Sequence, residues 1–291
     1  MGDDFEIAIM NVNGQAIEKM VQKMPAFPRS VHRVLELTSD MNSNPRELID
    51  VIEHDPVLLL KILKLVNSPY FGLAEKITSV NHAVVYIGLN TIKNLALSAA
   101  AVGILPRTNK AGFDMNGFLL HSLSTATIAR MFAKKMKVPG KDTFDYFMSG
   151  LLHDFGKIVF AHFLPDEFRK ALNLAKEKGI PLFEAEQEIF GMDHSQVITL
   201  LGEKWLLAPG LVDSMEGHHY CGDKCTLFTH TIAVSNQLSK ELKMGDSGSS
   251  HLIETLPDDI TQRFGNDVDA IVGELGDVKD EIDKAAVFIA P

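Results

Sequence analysis

The sequence is short of cysteine, of positive charge, of long apolar runs and of strand signals, and each shortage removes a class of protein. Two cysteines, Cys221 and Cys225, stand among 291 residues, so disulfides are not the main staple of the fold. Lysine and arginine number 28 against 38 aspartates and glutamates, a formal charge of −10. Binding nucleic acid through general electrostatics needs clustered cations to neutralise phosphates. The clusters here are thin, Lys134, Lys135 and Lys137 in one place and the loop Arg107–Lys110 in another, and read as solvated faces. The longest apolar run, near Ala96–Leu105, is interrupted by Ser98 and Gly103 and falls far short of the roughly 20 residues a membrane-spanning helix needs. The opening MGDDFEIAIM is acidic where a secretory leader is basic. The expectation is a cytoplasmic protein with neither membrane nor nucleic acid among its partners.

Strand signals are equally sparse. No Asn-Gly or Asp-Gly pair joins alternating apolar runs; Asn13-Gly14 and Asn116-Gly117 precede helical patterns instead. Helix starts are frequent. Asn44, Pro45 and Glu47 occupy the N-cap, N1 and N3 positions of a helix through about Glu53. Asp55-Pro56 repeats the device and opens Val57–Val66, whose leucines and isoleucines cover most faces and mark it as central to a core. Pro165, Pro181 and Pro209 read as further N1 residues, and Gly179 and Gly191 as C-terminal stops. The fold class expected is all-α, a bundle of ten or more helices. Polar breaks at Pro106–Gly112 and Lys243–Ser250 divide the chain into an N-terminal helical part (15–108), a central helical part (109–245) and an acidic tail (246–291). In that tail Ile260, Phe264, Val268, Ile271, Leu275 and Val278 recur every three or four positions, the pattern of an amphipathic helical element packed on the body.

The chemistry-bearing residues lie in five separate elements. His121 sits in the helical stretch Gly117–Lys135, and His153-Asp154 in the run Gly150-Leu-Leu-His-Asp-Phe-Gly-Lys157. His194 opens a helix through about Trp205, His218-His219 end the helix that begins at Pro209, and Asn236 lies in Ile232-Ala-Val-Ser-Asn236. One histidine on an apolar helix face is ordinarily core. Imidazoles and a carboxylate gathered from separate helices instead suit a borderline divalent metal such as Zn, Mn or Fe. A pair of such ions can bridge a phosphate and activate water, and an adjacent His-Asp dyad offers a neutral donor and an anionic bridge from one stretch of backbone. Cys221 and Cys225 beside His218-His219 form a weak Cys-x3-Cys pattern; two ordinary thiols near a helix end is the simpler account. Trp205, with Leu201, Leu206 and Leu207, reads as core.

Two resemblances follow from these residues. The ordered set Pro25-Ala-Phe-Pro28, His54-Asp55-Pro56, Asn67-Ser68-Pro69-Tyr70-Phe71-Gly72 and Ile87-Gly88-Leu89, from about Met24 to Leu105, resembles the N-terminal half of the HDOD family. The order His121, His153-Asp154, His194, His218-His219, over about Gly112 to Leu242, resembles the HD superfamily of metal-dependent phosphohydrolases. The resemblance implies an HD-like bundle with an N-terminal helical subdomain, and a bacterial signalling role in which catalysis is commonly absent. It implies one or two divalent ions, the first on His121, His153 and Asp154, the second on His194, His218 or His219 and a shared Asp154, with Asp154 and Lys157 as the catalytic pair and Lys157 assisting a phosphate. Two departures stand out. The position matching the terminal metal-binding aspartate is Asn236, whose neutral amide is a poor donor. Tyr220-Cys-Gly-Asp-Lys follows the paired histidines where HD-GYP cyclic dinucleotide phosphodiesterases carry Gly-Tyr-Pro. The expected function is thus a regulatory module contacting a signalling protein or a small phosphorylated ligand. The alternative is a phosphohydrolase acting on a nucleotide or phosphoester.

Overall fold

The computed structural model describes residues 14–39, 44–140, 142–220, 225–252 and 255–290. Among them there is no strand. The chain runs through α1 (Gly14–Lys23), α2 (Arg29–Ser39), α3 (Pro45–Glu53), α4 (Pro56–Val66), α5 (Val80–Ile87), α6 (Leu89–Gly103), α7 (Met115–Lys135), α8 (Thr143–Leu152), α9 (Gly156–Phe163), α10 (Pro165–Lys178), α11 (Leu182–Phe190), α12 (His194–Lys204), α13 (Pro209–Glu216), α14 (Leu227–Glu241), α15 (Asp258–Phe264), α16 (Val268–Leu275) and α17 (Val278–Ala285), closing with a 3-10 turn at Ala286–Phe288.

Local chemistry sets many of these ends. Asn44 accepts a hydrogen bond from the Arg46 amide, and Asp55 accepts from the amides of Val57 and Leu58, so α3 and α4 each begin with a capped turn followed by proline. Asn67 ends α4 and reaches onward: its amide donates to the carbonyls of Leu63 and Ile77 and its Oδ1 accepts from the Ile77 amide, each at 2.8 Å. Gly179 and Gly191 close α10 and α11 in the left-handed conformation, as the sequence predicts. Pro165 and Pro209 stand at N1. Pro181 does not. It is the N-cap of α11, held extended, and the helix starts one residue later. The helix from Pro209 stops at Glu216, so His218 and His219 lie in the turn beyond it rather than on its last turn.

Helix α7 is the axis of the body. It packs on α8, α14, α16 and α17, and Phe118, Leu123, Ala126, Ile128, Ala129 and Phe132 on it are fully buried. One hydrophobic core joins α1–α6 to α7–α13; Phe27 of the N-terminal part stacks on the buried Trp205 ring at 4.7 Å. A second cluster gathers Ile260, Phe264, Ile271, Leu275, Val278 and Ile282 against Ile128 and Phe132 of α7 and Val234 and Leu238 of α14. The apolar periodicity of the tail is therefore real, but glycines at 265 and 276 break it into three short helices. Among the described residues no single helix is long and apolar enough to cross a membrane; α5 and α6 meet that test only as a pair bent by 118°.

Candidate metal centre

Four histidines from four parts of the chain converge on one carboxylate. Asp154 lies in the turn between α8 and α9 and is fully buried. His121 Nε2 from α7 and His153 Nε2 from the end of α8 approach its Oδ2 at 3.6 and 3.4 Å. His194 Nε2, at the start of α12, and His218 Nε2, after α13, approach Oδ1 at 3.1 and 3.7 Å. His219 Nε2 lies 2.9 Å from His194 Nε2. The donor atoms of Asp154, His194, His218 and His219 form one group close enough to share a metal ion, and those of His121, His153 and Asp154 form another.

Two glycines allow this convergence. A Cβ on Gly156 would stand 2.1 Å from the His194 carbonyl oxygen. Only glycine lets the start of α9 lie against the start of α12, which brings Asp154 and Lys157 beside His194. Gly245, at φ +81°, would place a Cβ 2.2 Å from the Gly117 carbonyl and 2.4 Å from the His121 amide. It lets the segment after α14 lie on α7, and that segment supplies the Ser247 carbonyl to Lys157.

The far side of each ring is fixed. His153 Nδ1 donates to the Gly150 carbonyl at 2.8 Å and His218 Nδ1 to the Met215 carbonyl. A carbonyl can only accept, so each Nδ1 carries a proton and each ring turns its Nε2 toward Asp154. His121 Nδ1 exchanges a hydrogen bond with Ser239 Oγ at 3.0 Å. His194 is held by Glu186, whose Oε2 accepts from both its Nδ1 and its backbone amide. These are the outer contacts that orient metal-binding imidazoles.

Burial holds His121, His218 and His219 well below the ordinary imidazole range, in the neutral form a ligand needs. His194 differs. Burial opposes its charge, but the Glu186 carboxylate, with Asp154 close to the other side of the ring, outweighs it and raises the ring. For Asp154 too, burial works against the charged form, yet the charges of His153 and Lys157 hold it well below the usual carboxylate range. Lys157 Nζ donates to Asp154 Oδ2 at 2.6 Å and to the Ser247 carbonyl at 3.0 Å. Nε2 of His121, His153 and His218, Asp154 Oδ1, Asn236 Oδ1 and Glu186 Oε1 are buried with no hydrogen-bond partner. Imidazole nitrogens and a carboxylate oxygen left unpaired in one pocket fit a divalent cation. The cavity beside them is small, about 30 Å³, and is lined by Lys157, Phe183, His194, His218, His219, Asn236 and Lys240 among others.

Every residue singled out in the sequence for this site is thus brought to it: His121, His153, Asp154, Lys157, His194, His218, His219 and Asn236. The sequence offered no sign of Glu186, Ser239 or Lys240. Lys240 lies in the wall of the cavity, where burial, reinforced by the charge of Lys157, pushes its ammonium down to about 8. Cys221 lies outside the described residues, and no potential metal-binding group among the described residues includes Cys225.

Residues 24–221 match the HDOD domain. A curated relative, an uncharacterised protein of Treponema pallidum (strain Nichols), is 22% identical over 230 residues, covering 76% of this chain and 43% of the relative. The chain therefore spans less than half the length of that protein. Among solved structures, an HDOD domain protein of unknown function from Geobacter sulfurreducens is similar with 25% identity and a TM-score of 0.71, over 94% of this chain and 97% of that one. A provisionally named phosphohydrolase of Shewanella amazonensis SB2B shares 21% identity with a TM-score of 0.71, over 94% and 98% of the two chains. A provisionally named signal transduction protein of Marinobacter aquaeolei VT8 shares 19% identity with a TM-score of 0.69, over 96% and 67%. The last two likenesses carry the fold alone.

Proposed function

This chain belongs to the HDOD domain family, and from that premise we propose that it is a metal-holding regulatory module that acts by contact with a signalling protein or a small phosphorylated ligand, without turnover. The observation that carries this reading is the size of the space at the His/Asp cluster. About 30 Å³ suits an ion with a water molecule, whereas pockets that take a small-molecule substrate run to roughly 300–1,000 Å³.

Two ligand sets are available around Asp154, and they are not equivalent. His121 and His153 face Oδ2, which already accepts from the Lys157 ammonium. His194 and His218 face Oδ1, which has no hydrogen-bond partner. Lys157 thus supplies a positive charge where the first ion of a two-metal site would sit, and Asn236 contributes no charge to offset a second ion. The reading is a single divalent ion, zinc, manganese or iron, held by His194, His218, His219 and Asp154 Oδ1. Such an ion, when bound, polarises oxygen ligands and makes bound water more acidic. The protein's own residues orient the rings through Glu186 and the Met215 carbonyl, keep bulk water out, and neutralise Asp154 with Lys157.

Metal analysis of protein purified without chelator tests this. One ion per chain, lost in Asp154→Ala, is expected, together with no hydrolysis of a broad panel of nucleotides and phosphoesters in added manganese or iron. The second reading is a phosphohydrolase, and the unpaired Nε2 atoms of His121 and His153 favour it because they leave room for a second ion. Turnover that Asp154→Ala abolishes, with two ions per chain, would establish that reading in place of the first.

A further inference from the structure

A larger cavity, about 590 Å³, lies where α4, the end of α6, the first turns of α7 and the residues after α17 meet. It shares no lining residue with the small cavity at the His/Asp cluster. Its apolar wall comprises Leu65, Val102, Leu105, Leu119, Val287 and Ile289, and its charged groups are Lys61, Lys64 and Arg107. Among the described residues no aspartate or glutamate lines it, although acids outnumber bases in the chain 38 to 28. All three cations belong to exposed residues, and among the described residues none lies within ion-pair distance of a carboxylate. The acid that feels Lys61 is Asp55, which is committed to Ser30 and to the first amides of α4.

Structure alone explains part of this. Lys64 lies in the last turn of α4, where the helix dipole favours a cation, and Lys61 Nζ reaches the Ala99 carbonyl at 3.5 Å, the limit of a hydrogen bond. Neither contact explains why a third cation, from the loop after α6, lines the same space, or why the space is apolar behind them and, among the described residues, has no acid in its wall. A volume within the ligand-pocket range, an apolar body and a few converging polar groups are the marks of a small-molecule site.

We propose that this cavity binds a small amphipathic anion, with an aliphatic body against Leu65, Val102, Leu119 and Ile289 and a carboxylate or phosphate head among Lys61, Lys64 and Arg107. The site stands apart from the metal centre and does not depend on what that centre holds. Calorimetric titration of the full chain with decanoate and with decyl phosphate, below their micellar concentrations, tests it. Both should bind saturably, one per chain. Decanol, which lacks the charge, and inorganic phosphate, which lacks the body, should bind at least about tenfold more weakly, since each loses one of the two contributions. Lys61→Glu with Lys64→Glu, at exposed positions, should weaken both ligands by at least about tenfold at unchanged metal content, with only the small drop in melting temperature that an anion in the last turn of α4 entails. Val102→Phe, which fills the apolar wall and leaves the charges alone, should weaken them independently. The absence of saturable binding, equal binding of decanol and decanoate, or binding indifferent to the charge reversal would each overturn the assignment. A preference for decyl phosphate over decanoate would identify the head as phosphate, and the reverse preference a carboxylate.

Discussion

The start of the N-terminal block and the His/Asp pocket treat polar side chains in opposite ways. In the first, Asn44, Asp55 and Asn67 hydrogen-bond to backbone amides or carbonyls at the ends of α3 and α4. In the second, six buried polar atoms have no hydrogen-bond partner: Nε2 of His121, His153 and His218, Asp154 Oδ1, Asn236 Oδ1 and Glu186 Oε1. Leaving a buried polar group unpaired costs about 1–3 kcal/mol. Unpaired buried atoms occur elsewhere, Trp205 Nε1 and Thr199 Oγ1 among them, but here all except Glu186 Oε1 gather at Asp154 or in the wall of the cavity beside it. Polar residues that cap helices complete the fold from within. A pocket with so many unpaired atoms has the donors to hold an ion, which is why the metal proposal attaches to this region and to no cap.

The contrast breaks most readily at Lys157. Its ammonium is the charge that balances the buried Asp154, and removing one partner of a buried pair typically costs about 3–5 kcal/mol. Lys157→Met keeps the stem and removes the charge. Metal-free protein carrying it should lose stability of that order in a denaturant titration, and a divalent ion should restore more stability to the variant than to the wild type, because binding to the folded state alone stabilises by mass action. An unchanged denaturation midpoint would mean that the carboxylate is balanced by something other than Lys157. Glu186→Gln is the next test. It leaves a group able to accept from His194 but removes the negative charge that raises the ring. Outer-sphere partners of this kind change metal affinity by about 10–100-fold, so chelator competition should show weaker binding of that order, with far less change in folding stability than Lys157→Met causes. Equal metal affinity in the two proteins would remove Glu186 from the site.

The same contrast explains what could be read from the sequence. The caps were legible because a helix start is local: Asn44-Pro45 and Asp55-Pro56 carry their partners within three residues. Pro181 falls one residue from its expected position because a proline can open a helix either as N1 or as an extended N-cap, and the residues around it do not distinguish the two. The sequence pattern carries His218 and His219 on a helix that stops before them, because the only local stop signal is Gly217. The imidazoles and Asp154 were legible only as an ordered set, through family resemblance. Their supports were not, because tertiary packing makes them neighbours. Ser239 meets His121 across 118 residues. Glu186 returns to His194 only after the left-handed turn at Gly191, and in the sequence it is one acid among several on an amphipathic helix. The close approaches that make Gly156 and Gly245 necessary are likewise invisible until α12 and α7 stand beside them.

The smallest expected effect falls on the capped side of the comparison. Asp55 accepts from Ser30 Oγ at 2.6 Å and from the amides of Val57 and Leu58, and these bonds, Ser30 first, hold its carboxyl below the ordinary value of 3.8. Asp55→Ala should cost about 1 kcal/mol, the usual loss for an N-cap. A carboxyl whose pKa is lower in the folded than in the unfolded chain contributes stability that is complete above the unfolded value and fades as the pH falls through the folded one. The stability gap between wild type and Asp55→Ala should therefore be widest near neutrality and narrow on acidification below about pH 4. Metal content should be the same in both proteins, because Asp55 belongs to a region whose polar groups already have their partners. Loss of metal in Asp55→Ala would show that the two regions are coupled, and the division drawn between capping residues and ligand-binding residues would have to be given up.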